Sequence, residues 1–340
     1  MEIREPERLT PVVGEADVVV VGSGPGGLSA AIAAARAGVS VILIERFGCF
    51  GGNITSVGVE GFAWYRHKKT IEAGGLAFEY EQRAIENDAA VPESQSTSYE
   101  LDSEAFKVVA DNLVLEAGVR PMLHRAFCSP ILEGNEIKGV ITESKAGREA
   151  IMGKIIIDAT GDADVARRSG VTVFKNSKED MISASVMFHM SGVNKEEFMD
   201  EIKRDPQKYS DWSDKNWQVQ TSGKEDDMFS PFLRKPFEKA KDAGLIDSDL
   251  QTISGTWGAI HDSGELTYLN LVHLNGIDGT DPESLTKGEI EGRKAALEAI
   301  AALKEYMPGC SAGKLRNFGM TIGIRDTYKI DSEYNLSDED

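Results

Sequence analysis

The first residues here whose types and spacing imply chemistry are Gly22-Ser23-Gly24-Pro25-Gly26-Gly27. Gly22 permits a tight turn, and Gly24 lets the backbone approach a pyrophosphate. Gly27 lets a helix pack closely on a strand, with the helix N-terminus facing the phosphate charge. Glu45 ends the next apolar run, at about the distance where a carboxylate receives the hydroxyls of a ribose. Gly51-Gly52-Asn53 follow, a second point where backbone can meet an extended cofactor. A third is Ala159-Thr160-Gly161-Asp162, which closes the apolar run Ile155-Ile156-Ile157-Asp158.

These groups need elements to hold them. Asp17 to Gly22 is an uninterrupted β-branched run, the mark of a buried parallel strand. Helix-forming residues run from Gly26 to Ala37, with Gly38 as the stop. A second buried run, Val39 to Ile44, completes a β-α-β unit. From Thr70 to Ala117 the chain reads mainly as helix, broken at Val91 to Tyr99, with Asp102 as N-cap of a helix through Phe106, Val109, Leu113 and Leu115. Met122 to Glu143 reads as a meander with a turn at Glu133-Gly134-Asn135, and Lys154 to Asp158 as another buried strand. After Gly170 the texture changes. Short strands (Ser183 to Met190, Leu266 to Leu274) mix with helices and a polar stretch, Asp205 to Asp227, holding Trp212 and Trp217 and read as a surface excursion. Thr286-x-x-Glu289 reads as a capping box opening a helix that Pro308-Gly309 ends.

The 340 residues allow two domains, and 41% hydrophobic with 27% charged residues is ordinary for a soluble protein. The formal charge of −19 argues against nucleic acid, whose phosphates demand a basic face. Cys49, Cys128 and Cys310 lie far apart in no metal-ligand or disulfide spacing, which fits a cytoplasmic location. Met1 to Thr10 lack the apolar core of a signal peptide, and no apolar run reaches membrane-spanning length, so no membrane partner is expected. No metal site is expected.

The glycine fingerprint alone does not separate NAD from FAD. Gly51-Gly52 after Glu45, and the Ala-Thr-Gly that follows a meander, favour FAD. At these positions the sequence resembles the FAD-dependent oxidoreductases of the glutathione-reductase-like, two-dinucleotide fold. Pro11-Val12 and Asp17-Val18-Val19-Val20-Val21-Gly22 match the opening of that family. Gly51-Gly52-Asn53-Ile54-Thr55 and Ile157 to Asp162 match its two later motifs. Gly323-Ile324-Arg325-Asp326-Thr327-Tyr328-Lys329 and Leu336 to Asp340 approximate its late ones, with Asp326 in place of the commoner Glu and Tyr328 where a basic residue is usual. The resemblance implies FAD as cofactor, held by Gly22, Gly24, Pro25, Gly27, Glu45, Arg46, Gly51, Gly52, Asn53, Phe127, Ala159, Thr160, Gly161 and Asp162.

The expected fold class is α/β, a Rossmann-like FAD-binding domain with a β-meander plus a mixed α+β substrate domain. Residues 11–60 and 118–170 are expected to form the FAD-binding domain, 61–117 and 171–318 the helical and substrate side, and 319–340 a C-terminal return segment. The resemblance also implies a late strand–Gly-rich–helix segment that returns to the flavin. Nothing after Gly170 reads as that segment; Gly319 to Gly323 comes nearest but leads into Arg325-Asp326. The chain is therefore expected to be truncated or split, with a homo- or hetero-oligomer completing the flavin site.

Flavin performs the redox step itself, while protein groups orient the substrate and carry protons. His189 and Arg325 are the candidates for such catalytic roles. His189 lies on the Ser183–Met190 strand, where a satisfied core histidine is the plainer reading; His261 and His273 read as structural. Arg325 is an anion partner or an ion-pair partner of Asp326 or Asp331, and His67 in Arg66-His67-Lys68-Lys69 reads as a solvated basic cluster. Cys49 reads as a small buried apolar residue. The leading function is a dehydrogenase or reductase that moves hydride between a small organic substrate and flavin N5, with an unidentified electron acceptor or donor. The alternatives are a flavin monooxygenase or oxidase, and a cofactor-binding subunit active only with a partner chain. An NAD-only dehydrogenase would be colourless.

Overall fold

The computed structural model describes residues 2–4, 6–61, 74–92, 99–205 and 232–335. His67 with its basic neighbours, Trp212, Trp217 and Leu336 to Asp340 lie outside the described residues. The chain divides into two compact units. The first holds Met1–Gly52, Ala110–Lys175 and Tyr328–Asp340, and the second Asn53–Val109 and Asn176–Thr327. Residues 53–60, expected in the FAD-binding part, go with the second unit, residues 110–117 and 171–175, expected on the substrate side, go with the first, and the expected return segment 319–340 is divided after Thr327.

The first unit is built on a six-stranded sheet in the order Arg120–Met122, Val41–Ile44, Val12–Val21, Gly147–Asp158, Glu136–Ser144, Ala126–Glu133. The first four strands run parallel and the last two complete an antiparallel meander. Val18 stands opposite both Val41 and Ile155, and Val21 opposite both Ile44 and Asp158. Val19 and Val20 are fully buried, which is why this stretch reads as continuously apolar rather than alternating. A helix, Pro25–Arg36, follows the first strand and buries Leu28, Ala31 and Ile32.

The second unit is antiparallel. Its main sheet runs Phe232–Leu233, Ile253–Thr256, Leu266–Leu274, Phe188–Ser191, Lys314–Phe318, with Ala184–Ser185 pairing off the Leu266–Leu274 strand. The run expected as one strand from Ser183 is thus two, interrupted at Val186-Met187. A 25-residue helix, Pro282–Tyr306, lays an alanine-rich face (Ala295, Ala296, Ala299, Ala302) into the core. Gly292 is required there: a Cβ would run into the Val186 side chain. Phe198 meets Trp257 edge-on at 5.1 Å between ring centroids.

Two local expectations need correction. The region after Leu76 is two helices, Leu76–Glu86 and Ala105–Glu116, separated by a small hairpin of Ala90–Pro92 with Tyr99–Leu101. Asp102 does cap the second helix, accepting from the N–H groups of Glu104 (2.8 Å) and Ala105 (2.9 Å). The long helix does not begin at Thr286. Asp281 is its N-cap, accepting from Glu283 N–H at 3.1 Å with Pro282 in the first turn. An Asp-Pro start satisfies an orphan donor and presets φ one turn earlier, so it wins over the Thr286 box. Among the described residues, no helix is long and apolar enough to cross a membrane.

Candidate functional site

At the carboxyl ends of the first unit's parallel strands, each glycine of the first motif does a separable job. Gly22 has φ +97°, and a Cβ on it would collide with the Ala159 carbonyl. Gly27 meets the Gly22 carbonyl and would stand 2.8 Å from the Ala159 Cβ. Both therefore serve close packing of turn, helix and neighbouring strand. Gly24 and Gly26 differ: a Cβ at either meets nothing within 4 Å. Gly24 has φ −59° and needs no left-handed conformation. Neither backbone geometry nor the surrounding protein calls for glycine at these two positions; an incoming ligand against the backbone does.

Gly24 is the N-cap of Pro25–Arg36, with no side chain capping it and no acidic residue in the first turn. The helix thus presents unsatisfied N–H groups and the positive end of its dipole where a pyrophosphate would lie. Gly51 N–H donates to the Ser23 carbonyl at 2.9 Å, and a Cβ on Gly52 would stand 2.5 Å from the Gly24 Cα. The second glycine pair therefore folds directly over the first. Asn53 is exposed and opens the helical turn Asn53–Val57.

Glu45 is buried, and its carboxylate braces the turn. Oε2 accepts from Ser23 Oγ at 2.6 Å and from Ser23 N–H at 3.0 Å, while Oε1 accepts from Phe47 N–H at 2.9 Å. A carboxylate offers about four acceptor sites, so Oε1 keeps capacity for a further donor such as a ribose hydroxyl. Ser23 was not singled out by sequence, although a short hydroxyl between two motif glycines is the signal. Arg46 is exposed, its guanidinium 4.6 Å from the Phe47 ring centroid. Phe127 packs against the apolar core of this unit, with the Arg168 guanidinium 5.7 Å over its ring and Arg168 Nη1 donating to the Cys128 carbonyl.

The Ala159–Asp162 turn is organised by Asp158, a second residue whose role the sequence reading passed over. Its Oδ1 accepts from Thr160 Oγ1 (2.7 Å) and Thr160 N–H (3.1 Å), and its Oδ2 from Ala166 N–H (2.9 Å). Thr160 Oγ1 in turn accepts from Asp164 N–H at 3.1 Å. Burial pushes the Asp164 carboxyl above its ordinary pKa, partly opposed by Arg168. The turn comes against Gly22, so the first and third motifs meet at the carboxyl ends of the two central strands.

The remaining candidates lie in the second unit. His189 is buried, with Nε2 3.2 Å from Glu60 Oε2 and Nδ1 3.5 Å from Arg316 Nη1. Glu60, buried too, also accepts from Ser103 N–H at 3.0 Å, and Arg316 pairs with Glu265 at 2.9 Å. Both ring nitrogens are engaged within the unit. Arg325 forms no ion pair with Asp326 or Asp331 among the described residues; its Nη2 donates to Ser185 Oγ (2.8 Å) and Asn270 Oδ1 (3.3 Å). Cys49 is a buried free thiol.

Gly319 to Gly323, the nearest candidate for a returning segment, docks on the Asn53–Val57 turn. Met320 N–H (2.7 Å) and Thr321 N–H (3.2 Å) donate to the Ser56 carbonyl, and Gly319 lies so close to Val57 that a Cβ would strike its carbonyl. Glu289 on the long helix holds the same segment, accepting from Ile322 N–H at 2.8 Å and Thr321 Oγ1 at 3.1 Å.

The sequence was compared with known proteins. A family model described as FAD dependent oxidoreductase matches residues 17–340. The thiamine thiazole synthase of Saccharolobus islandicus is 32% identical over 162 residues, which cover 44% of this chain and 57% of that protein. The soluble pyridine nucleotide transhydrogenase of Mycobacterium bovis is 30% identical over 166 residues, covering 46% of this chain and 33% of that one. These matches thus span about half or less of the curated relatives. Among solved structures, a myxobacterial chondrochloren halogenase superposes with TM-score 0.54 at 14% identity, covering 95% of this chain and 66% of its own. The anhydrotetracycline hydroxylase of Streptomyces rimosus gives 0.50 at 12%, covering 94% and 54%. At such identities the likeness is one of fold.

Proposed function

Because the chain belongs to the FAD-dependent oxidoreductase family, we propose that it moves hydride between a small organic substrate and flavin N5. The observation that carries the cofactor seat is the contrast between the glycines: Gly24 and Gly26 stand open at an uncapped helix N-terminus, where nothing else in the protein calls for glycine. In this reading the N–H groups of the Pro25–Arg36 helix face the pyrophosphate, and the spare acceptor on Glu45 Oε1 takes a ribose hydroxyl. Ala159 to Asp162 lie along the opposite side of the same crevice, and Gly51-Gly52 cover it. Bound flavin would supply the hydride acceptor or donor. Arg46 and Phe127 border the seat rather than fill it. In this reading His189 is a positioning residue, its ring tying Glu60 to Arg316.

The test is direct. Gly24→Val should fold, since a Cβ at this position meets no atom within 4 Å and an N-cap change of this kind costs about 1 kcal/mol. It should purify without flavin absorbance near 450 nm, whereas the wild-type chain is yellow. A yellow, fully occupied Gly24→Val protein contradicts the seat. Titrating wild-type apo-protein with FAD also separates this arrangement from one in which a second chain completes the site. Tight stoichiometric binding by the monomer removes the need for a partner.

A further inference from the structure

Arg325 is an exposed arginine whose described hydrogen bonds go only to neutral acceptors. Other arginines of the second unit take carboxylates: Arg316 pairs with Glu265 and Arg293 with Glu289. The chain carries 56 acidic residues against 37 basic ones, so an unpaired guanidinium runs against its composition. Asp326 is turned inward, 4% exposed, and accepts from Asn176 Nδ2 at 2.7 Å.

The guanidinium is also held still. Ser185, buried on its short strand, supplies Oγ to Arg325 Nη2, and its backbone exchanges two hydrogen bonds with Gly323 (2.9 and 2.8 Å), two residues before Arg325. Asn270, on the Leu266–Leu274 strand, reaches the same nitrogen. One nitrogen is thus tethered by side chains from two strands. Among the described residues, the Nε and Nη1 donors have no protein acceptor. A planar fork fixed at one corner and still fully charged is preorganised for a bidentate oxyanion, because its ordering entropy is already spent before the ligand arrives. A strand tie alone would not require a charge.

We propose that Arg325, oriented by Ser185 and Asn270, is a carboxylate-binding group of the second unit, so that the ligand class it takes is small organic acids. The binding is read without turnover and deepens the oxidoreductase reading above only if such an acid is also the substrate. The experiment titrates the full-length protein calorimetrically with benzoate, succinate, inorganic phosphate and the neutral isostere benzamide, with flavin content measured in parallel. Benzoate or succinate should saturate, benzamide should not bind, and phosphate should bind more weakly than the better carboxylate. Arg325→Met should weaken the carboxylate at least about tenfold, near 1.4 kcal/mol. Arg325→Lys, which keeps the charge without the fork, should fall between the two, and both variants should keep wild-type flavin content. Asn270→Ala, which loosens the fork but keeps its charge, should cost a few-fold. Equal binding of benzamide and benzoate, equal or tighter binding of phosphate, no binding of either carboxylate to the wild type, or undiminished binding by Arg325→Met overturns the proposal. A wild-type protein that binds carboxylate yet never holds flavin leaves the anion site standing and removes the oxidoreductase reading instead.

Discussion

The glycine crevice of the first unit and the Arg325 clamp of the second are assembled from different materials. In the crevice, carboxylates mostly serve the backbone: Glu45 holds Ser23 and Phe47, and Asp158 holds Thr160 and Ala166, over short sequence distances (22 residues for Ser23 to Glu45). In the clamp, side chain meets side chain across 140 residues from Ser185 to Arg325, and Glu289 reaches across 33 to Ile322. A site made from local backbone is rigid and leaves a sequence signature. One made from distant side chains can be held as firmly, yet leaves almost none.

That contrast is broken most forcefully at Gly27. A Cβ there runs into the Gly22 carbonyl and stands 2.8 Å from the Ala159 Cβ, with backbone on one side and a packed strand on the other, so nothing flexible can give. Gly27→Val should therefore cost about 3 kcal/mol or more in urea unfolding, the upper range of overpacking. Gly24→Val, three residues away, should cost only about 1 kcal/mol as an N-cap change and remove the cofactor. If the two variants unfold alike, the division of the motif into packing and ligand glycines is wrong.

Ser23→Ala probes the same crevice more gently. It deletes the 2.6 Å hydroxyl donor to Glu45 Oε2 in a fully buried setting and leaves the Ser23 N–H in place. A hydrogen bond to a buried charge is worth about 2 kcal/mol, and the loss should appear both in the urea midpoint and in weaker FAD retention. Unchanged stability would mean that Glu45 is held by backbone donors alone.

The same contrast explains what could be read in advance. The β-branched run at Val18 to Val21, the glycine spacing and the Ile-Asp-Ala-Thr-Gly run mark their places because parallel strands buried on both faces and a phosphate turn constrain consecutive residues. Ser23 and Asp158 were overlooked although they sit inside those motifs, since a motif records which positions are small and says little about who braces the turn. Glu60, Ser185 and Asn270 had no signal at all, and the signal at Glu289 misled. Each acts on a residue brought near by antiparallel pairing, and the short strands of the second unit have no period long enough to fix a face. The Thr286-x-x-Glu289 pattern even pointed the wrong way: Glu289 faces the returning segment and accepts its N–H, instead of turning back to cap its own helix.

Glu289 gives the smallest and most selective test of the comparison. Its Oε1 accepts from Ile322 N–H and Thr321 Oγ1, and its Oε2 pairs with Arg293 one turn along the helix. In Glu289→Gln the amide oxygen can still accept from Ile322 N–H, so the contact survives in neutral form. The ion pair with Arg293, partly exposed and at i,i+4 spacing, is worth only about 0.3–0.5 kcal/mol. The expected loss of stability is therefore at most about 1 kcal/mol. The effect on function should be larger in proportion. Residues 319–323 carry Gly323, whose backbone is paired with Ser185, so loosening this segment lets Arg325 drift from its acceptors. Carboxylate binding should weaken a few-fold while flavin content stays at the wild-type level, because no crevice residue is touched. Loss of flavin with intact carboxylate binding would mean that the segment serves the cofactor seat, and that the two regions are not independent constructions.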